Sequence, residues 1–455
     1  MAGRWFFVLL FVAGLARTST SQEPPNFIVF VADDMAWEDC GAYGHPNIQT
    51  PHMDRLAQEG MKFDAAFLTC SSCSPSRCSI LTGRYPHATG AGELHQPLPQ
   101  DQALFTEPLN QAGYFTAAAG KWHLGPHAKS QFDLIKGGGG PGGEGHWVNV
   151  IQERPKDQPF FCWFASTDPH RNYQEGAIPT PHQPSEVVVP PIFPDTPDVR
   201  KDIALYYDEI SRFDAGIGSV IQELERQEVL DNTFLLVITD NGRPFPRCKT
   251  RVNVDGVKTP FIVRFPPQVE RGVTSDSLVS TVDIGPTILD FAGVRIPDSL
   301  QGVSLKPVLL DPETEVRKYA FAEHNWHDYR AYERAIISSD YLLIKNWAPE
   351  LQGTPPADAV RSPTYREMNR LLEANQLDKK LVSLFSTPRP EIELYAWRED
   401  LNCFDNLNRD ENRRAVTEKL LGELSLWQSK TADSFPGVDQ LTPDGFDRVT
   451  GERLE

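Results

Sequence analysis

NFIVFVA, residues 26–32, is a run of β-branched and aromatic side chains that stops abruptly at Asp33-Asp34. A short continuous apolar run of this kind suits a strand buried on both faces. Two further runs repeat the pattern. FFCWFA at 160–165 ends before Thr167-Asp168-Pro169-His170, and TFLLVIT at 233–239 ends at Asp240-Asn241-Gly242. Helical patterns lie between them. Residues 201–225 set Ile203, Tyr207, Ile210, Phe213, Ile217, Val220 and Leu224 at spacings of three and four. Residues 51–60 and 105–113 read as shorter helices closed by glycine. Strands alternating with helices predict an α/β fold around a large, mainly parallel sheet flanked by helices. Ligands in such folds collect beyond the carboxyl ends of strands, and all three runs end there in charged or polar clusters.

The start of the chain reads as an address rather than as structure. One positive residue, Arg4, precedes an apolar and small-residue run over 5–16, Gly14-Leu15-Ala16 offers a small-x-small cleavage site, and polar residues follow at once. Residues 1–21 are expected to be a signal peptide, and the mature chain is expected to be soluble and exported, whether periplasmic, secreted or lysosomal. No later stretch approaches the roughly 18 apolar residues that a membrane span needs. The formal net charge of −18 argues against nucleic acid or an anionic membrane as partner. Any anionic ligand therefore requires a local basic pocket that overcomes the global field.

Seven cysteines are present, Cys40, Cys70, Cys73, Cys78, Cys162, Cys248 and Cys403. An odd number in an exported protein leaves at least one thiol unpaired or reserved for chemistry. Cys70 and Cys73 have CxxC spacing, but no second such pair or histidine cluster follows, which argues against zinc. GGGGPGGEG at 137–145 reads as a surface loop rather than a phosphate cradle, because no GK[ST] follows. Residues 179–197 hold seven prolines and predict an extended connection. Beyond residue 310 the character changes. Residues 341–346 and 393–397 read as short strands and 409–429 as a closing helix, so the expected division is a domain over 22–314 and a smaller α+β domain over 315–455. Oligomeric state is left open.

Cys73-Ser74-Pro75-Ser76-Arg77, continuing to Leu81-Thr82-Gly83-Arg84, is the most informative run in the chain. Proline favours the first turn of a helix, so a helix is predicted to start near Pro75. Cys73 would then stand at a helix N-terminus, where free N–H groups and the dipole favour an anion. On these residues alone, a structural cysteine and a reactive one beside an anion site both remain open.

C-x-P-S-R followed by L-T-G-R resembles the signature of the type I, formylglycine-dependent sulfatases. The resemblance implies an alkaline-phosphatase-like α/β sandwich and a formylglycine-generating maturation system that converts Cys73 to formylglycine (3-oxoalanine). A hydrated aldehyde has one hydroxyl to attack sulfur and a second whose loss of a proton expels sulfate. By the same resemblance Asp33, Asp34, Asp240 and Asn241, with residue 73, hold a divalent cation. An all-oxygen set suits a hard ion, and calcium tolerates irregular shells better than magnesium. Lys121 and His123 in GKWHLG (120–125) match the family's Lys and His beside the aldehyde, with Arg77 and Lys121 holding the aldehyde and sulfate oxygens. His123 would take a proton when the aldehyde re-forms. His170 matches the histidine on the leaving-group side, a general acid, and Lys249 a sulfate-binding cation.

Leu94-His95-Gln96, TDPHR (167–171), DNGRPFP (240–246) and Ser362-Pro363-Thr364 resemble the sulfamidase branch, the N-sulfoglucosamine sulfohydrolases. This implies a sulfated saccharide as substrate, of heparan-type N-sulfoglucosamine character. Lys249 stands where that branch carries Arg, which leaves other sugars open, including O-sulfate esters of marine polysaccharides. A phosphoester or phosphonate hydrolase of the same superfamily is the alternative chemistry. His324, Trp326 and His327 are candidates for sugar contacts or for a structural role.

Overall fold

The computed structural model describes residues 23–434, 442, 444–447 and 452–453, so the leader expected over 1–21 lies outside the described residues. NFIVFVA is strand β1 (Asn26–Ala32), buried at every position. It is joined by β2 (Met61–Phe63), β3 (Phe115–Gly120), β4 (Leu134–Lys136), β5 (Phe160–Ala165), β6 (Thr233–Thr239), β7 (Ile262–Arg264) and β8 (Val273–Ser275). The order across the sheet is β4-β3-β5-β1-β6-β7-β2-β8. Only β7 runs antiparallel to its neighbours, β6 and β2. The three longest apolar runs thus form the centre of the sheet, where both faces are covered.

Alternation along β1 divides the core. Ile28, Phe30 and Ala32 face one cluster with Ile203, Ile210, Phe213 and Ile217, whereas Phe27, Val29 and Val31 face another with Ile80, Leu81 and Ile288. Helix α1 (Cys73–Thr82) packs on the second face and α2 (Pro197–Arg226) on the first. Helix α2 begins earlier than the apolar spacing predicts, because Pro197 supplies a pre-set first turn after extended Thr196. The shorter helices expected over 51–60 and 105–113 occupy Pro51–Gln58 and Thr106–Gln111.

A second, antiparallel sheet follows, with β9 (Ala320–Trp326), β10 (Arg330–Ile337), β11 (Leu342–Asn346) and β12 (Ile392–Tyr395) in sequential order. Helix α3 (Arg414–Thr431) covers one face through Leu420, Leu424 and Trp427. Ala320, Ala335 and Ile344 on the other face pack against Phe67, Val254 and Val257 of the main body. The closing helix starts later than expected because Asn406 and Asp410 each cap a single 3-10 turn ahead of it. All seven cysteines are buried thiols with no disulfide between them. No described helix is long and apolar enough to cross a membrane.

Candidate active site

The register of the sheet assembles the acidic cluster. Ala32 pairs with Thr239 in the parallel β1–β6 ladder, so the residues that follow, Asp33-Asp34 and Asp240-Asn241, emerge side by side. Asp34 takes a left-handed backbone (φ 75°), a conformation that aspartate tolerates better than most residues. Its N–H donates to Asp240 Oδ1 at 3.2 Å, and Asn241 Nδ2 donates to Asp34 Oδ1 at 2.6 Å. Asp33 N–H donates to the carbonyl of Asp168 at 2.8 Å, which ties in the end of β5.

Cys73 is the first residue of α1 rather than a residue ahead of it, since Ser72 is the extended N-cap. The buried helix end brings its Sγ to 3.9 Å from Asp34 Oδ1, and one ligand atom each from Asp33, Asp34 and Cys73 falls within a 4.8 Å cluster. Burial pushes the Cys73 thiol far up, Lys121 and Lys249 oppose the shift, and Asp34 and Asp33 add to it. A thiolate is therefore disfavoured by the protein's own groups. Arg77 lies one turn on and is completely buried. Its Nε and Nη2 reach Asp240 Oδ2 at 2.8 and 2.7 Å, and Nη1 donates to the Lys121 carbonyl at 3.1 Å. Its guanidinium is engaged with the carboxylates behind the site.

Two lysines complete the inner ring. Lys121 follows Gly120, where φ is 98° and a Cβ would sit 1.8 Å from the Ala165 carbonyl, so only glycine lets the chain turn there. Lys121 Nζ donates to Asp33 Oδ2 at 2.5 Å, and Lys249 Nζ to Asp34 Oδ2 at 2.7 Å. Thr250 N–H, bonded to the Ser71 carbonyl at 2.9 Å, holds the lysine's strand of chain against α1. Burial alone would raise Asp33, but Lys121, His170, Arg77 and Lys249 hold it well below the usual carboxylate range. Burial pushes Asp240 up to about 6 against the pull of Arg77, with Asp33 adding to the rise.

The histidines differ in state. Burial, then Lys121 and Arg77, push His123 down to about 2, and its Nδ1 is buried without a hydrogen-bond partner. It is a neutral imidazole. His170 Nδ1 donates to the Arg171 carbonyl at 2.5 Å, which fixes the proton on that nitrogen when the ring is neutral. Its Nε2 then faces Asp34 Oδ2 at 3.8 Å and Asp358 Oδ2 at 3.7 Å. His327 shares a 2.7 Å hydrogen bond with Ser72 Oγ, immediately before Cys73. Trp326 is 1% exposed and His324 3% exposed, both on β9, and His324 lines a small pocket together with His327.

Asp358 and the glycine loop are the two features sequence reasoning missed. The loop at 137–145 is exposed at Gly137, Gly138, Gly140, Pro141 and Gly145, as expected of a surface loop, but it turns inward at two residues. Gly142 and Gly143 are buried, the Gly142 carbonyl accepts from Ser166 Oγ at 2.6 Å and Thr167 N at 2.8 Å, and a Cβ at Gly142 would meet Asp168 Oδ2 at 2.1 Å. Absence of side chains lets this backbone form a wall of the site. With Asp33, Lys121, Asp168, His170 and Arg171, Pro141 lines a cavity of about 340 Å³, the size range of a small-molecule site.

The donor set fits a hard cation. Asp33 Oδ1 and Asn241 Oδ1 are buried oxygens with no hydrogen-bond partner. Such orphaned acceptors are costly unless something positive satisfies them.

Comparison with known proteins extends this geometry. Residues 25–141 and 146–294 match the family described as Sulfatase. The chain belongs to the sulfatase family. Residues 249–382 of this sulfatase also match the family described as N-sulphoglucosamine sulphohydrolase, C-terminal. It is 31% identical to the human N-sulphoglucosamine sulphohydrolase over 96% of this chain and 95% of the human one. It is 28% identical to an ulvan-active sulfatase of Formosa agariphila over 90% of this chain and 76% of that protein. A protein solved in complex with its substrate D-glucosamine-2-N,6-O-disulfate shares the fold, with a TM-score of 0.70 at 22% identity over 92% of this chain and 100% of that one.

Proposed function

We propose that this sulfatase is an exported sulfohydrolase that removes the N-sulfate of a glucosamine-type saccharide, using residue 73 as formylglycine and a bound calcium ion. The observation that carries the reading is the match of residues 249–382 to the C-terminal N-sulphoglucosamine sulphohydrolase family, because that segment contributes Lys249 and Asp358 to the site. Near-full-length similarity to the human enzyme supports it.

Asp33, Asp34, Asp240 and Asn241, with residue 73, would hold the ion, which opposes negative charge at the sulfate and at the attacking oxygen. Formylglycine, as its hydrate, supplies a hydroxyl that attacks sulfur and a second whose deprotonation releases sulfate. Asp240 takes the proton of the attacking hydroxyl. Lys121 and Lys249 oppose the sulfate charge from two sides, and Arg77 holds Asp240 and Asp33 in place from behind. His170 presents Nε2 to the leaving group and gives it a proton there. His123, held neutral, accepts the proton released at residue 73 when sulfate departs. The leader over 1–21, maturation by a formylglycine-generating system and the division into 22–314 and 315–455 belong to this proposal, the last supported by the second sheet beginning at Ala320.

The test is a panel of N-sulfated and O-sulfated saccharides, with an aryl phosphate alongside an aryl sulfate, offered to matured protein and scored by free sulfate or phosphate. The expected result is fastest release from N-sulfated glucosamine, abolished by chelation and restored by calcium. Preference for a polysaccharide such as ulvan, on which the Formosa relative is active, would replace the substrate. Preference for phosphate would overturn the chemistry.

A further inference from the structure

Asp358 belongs neither to the oxygen set proposed for the cation nor to the cations proposed for the sulfate, yet it stands beside His170 and Lys249. It rides on a single helical turn, Ala357–Val360. Ala357 N–H donates to Asp328 Oδ2 at 2.6 Å, and Ala359 N–H donates to Asp358 Oδ1 at 2.7 Å. The other oxygen, Oδ2, is buried with no hydrogen-bond partner. It lies 3.7 Å from His170 Nε2 and 3.8 Å from Lys249 Nζ. These separations are too long for hydrogen bonds, so the acceptor is aimed into the gap between the two nitrogens without being satisfied by either.

The position is rigid. Beyond the turn, Thr364 donates through its N–H and Oγ1 to Asp202 Oδ2 at 3.3 and 2.6 Å. The same Asp202 takes both arms of Arg171 at 2.7 and 2.8 Å, and Arg171 follows His170. One buried carboxylate therefore anchors both the loop bearing the leaving-group histidine and the segment bearing Asp358.

We infer that Asp358 Oδ2 contacts the atom bridging sugar and sulfur and selects N-sulfate over O-sulfate. This rests on the saccharide sulfohydrolase reading above. A sulfamate nitrogen carries a hydrogen that the carboxylate accepts, and after S–N cleavage the freed amine, once protonated, pairs with the same oxygen. An ester's bridging oxygen carries lone pairs only and is repelled by it. A site built around a substrate donor discriminates against the analogue that lacks one, because its buried acceptor is then left unpaired.

The experiment compares kcat/KM of matured, calcium-loaded enzyme on D-glucosamine N-sulfate and on D-glucose 2-O-sulfate, which differ at the bridging atom. Wild type is expected to prefer the N-sulfate, and Asp358→Ala and Asp358→Asn are each expected to cut that preference at least about tenfold, the order of a charged hydrogen bond. Equal losses on both substrates, or an unchanged ratio, overturn the assignment of Asp358 and leave the N-sulfate reading standing. A wild-type enzyme that hydrolyses only the O-sulfate overturns both. A second readout needs no variant. D-Glucosamine should inhibit wild type at least about tenfold better than D-glucose, and equal inhibition contradicts the inference.

Discussion

His87 shows how much of this chain depends on the charge state of one side chain. Its backbone N–H and Nδ1 engage Glu323 at 2.8 and 2.5 Å, and Nδ1 lies 3.8 Å from Asp433. Arg334, bonded to Asp433 at 2.7 and 2.8 Å, is the other cation there. Burial pulls the imidazole pKa down, but Glu323 and then Asp433 more than offset it, so His87 titrates above its usual 6.5. The folded state thus binds this proton more tightly than the unfolded one. The resulting stability is fully present below about pH 6.5 and is lost as pH rises through the folded value. Thermal melts from pH 5 to 8 should show His87→Gln closing on wild type as pH rises. Burial holds His123, His324 and His327 low, so they act with the opposite sign at lower pH, but both proteins share them. A wild-type advantage that does not vary with pH contradicts this reading. At this scale the sequence was legible where a motif or a strand end marks a residue that the fold brings into the cluster, as with Asp33, Asp240 and Cys73. Asp358 lies in PPADAV, without periodicity or signature, and matters only because the fold returns it to Lys249 and His170.

Among the elements, α2 was easy to recognise and hard to interpret. Its apolar spacing marks the face that packs on the sheet, but three of its aspartates are buried rather than solvated. Asp202 holds Arg171 and Thr364, Asp208 holds His182, and Asp214 accepts from the first-turn N–H groups of Pro51–Gln58 at 3.1 and 2.7 Å. The helix is a rail to which the loops around the site are fastened. Nothing in single-helix periodicity distinguishes such a buried hook from an exposed aspartate, because its partners lie tens to hundreds of residues away. Asp202→Ala leaves the Arg171 fork buried and unpaired, with side-chain exposures of 5% and 2% in the native pair. The expected cost is about 3–5 kcal/mol in urea unfolding, together with reduced turnover as His170 and Asp358 lose their shared anchor. Exposed Asp198→Ala, the control, should stay within about 0.5 kcal/mol of wild type. Equal stability of the two variants would sink the hook. The strands fared better: three central runs were readable because a both-faces-buried strand has an unbroken apolar interior, whereas short β2, β7 and β8 carry too little pattern to stand out.

For the whole molecule, the question is how a chain of net charge −18 binds an anion. Three carboxylates, Asp33, Asp34 and Asp240, face three cations, Arg77, Lys121 and Lys249, all within the buried ends of the central strands. The protein's own charges nearly cancel there, so a divalent cation would make the pocket positive whatever the distant surface carries, and low dielectric magnifies near charges over far ones. The second sheet supplies His327 against Ser72, and the segment after it brings Asp358 to His170. Both parts of the chain therefore build one site, whose proposed reactive centre is residue 73. The direct measurement is mass spectrometry of the tryptic peptide 63–77 from active, exported protein, with turnover followed in the same preparations. Position 73 should carry an aldehyde while Cys70 remains a thiol, and activity should rise in proportion to the converted fraction. Full activity from protein whose Cys73 is an intact thiol would contradict the account.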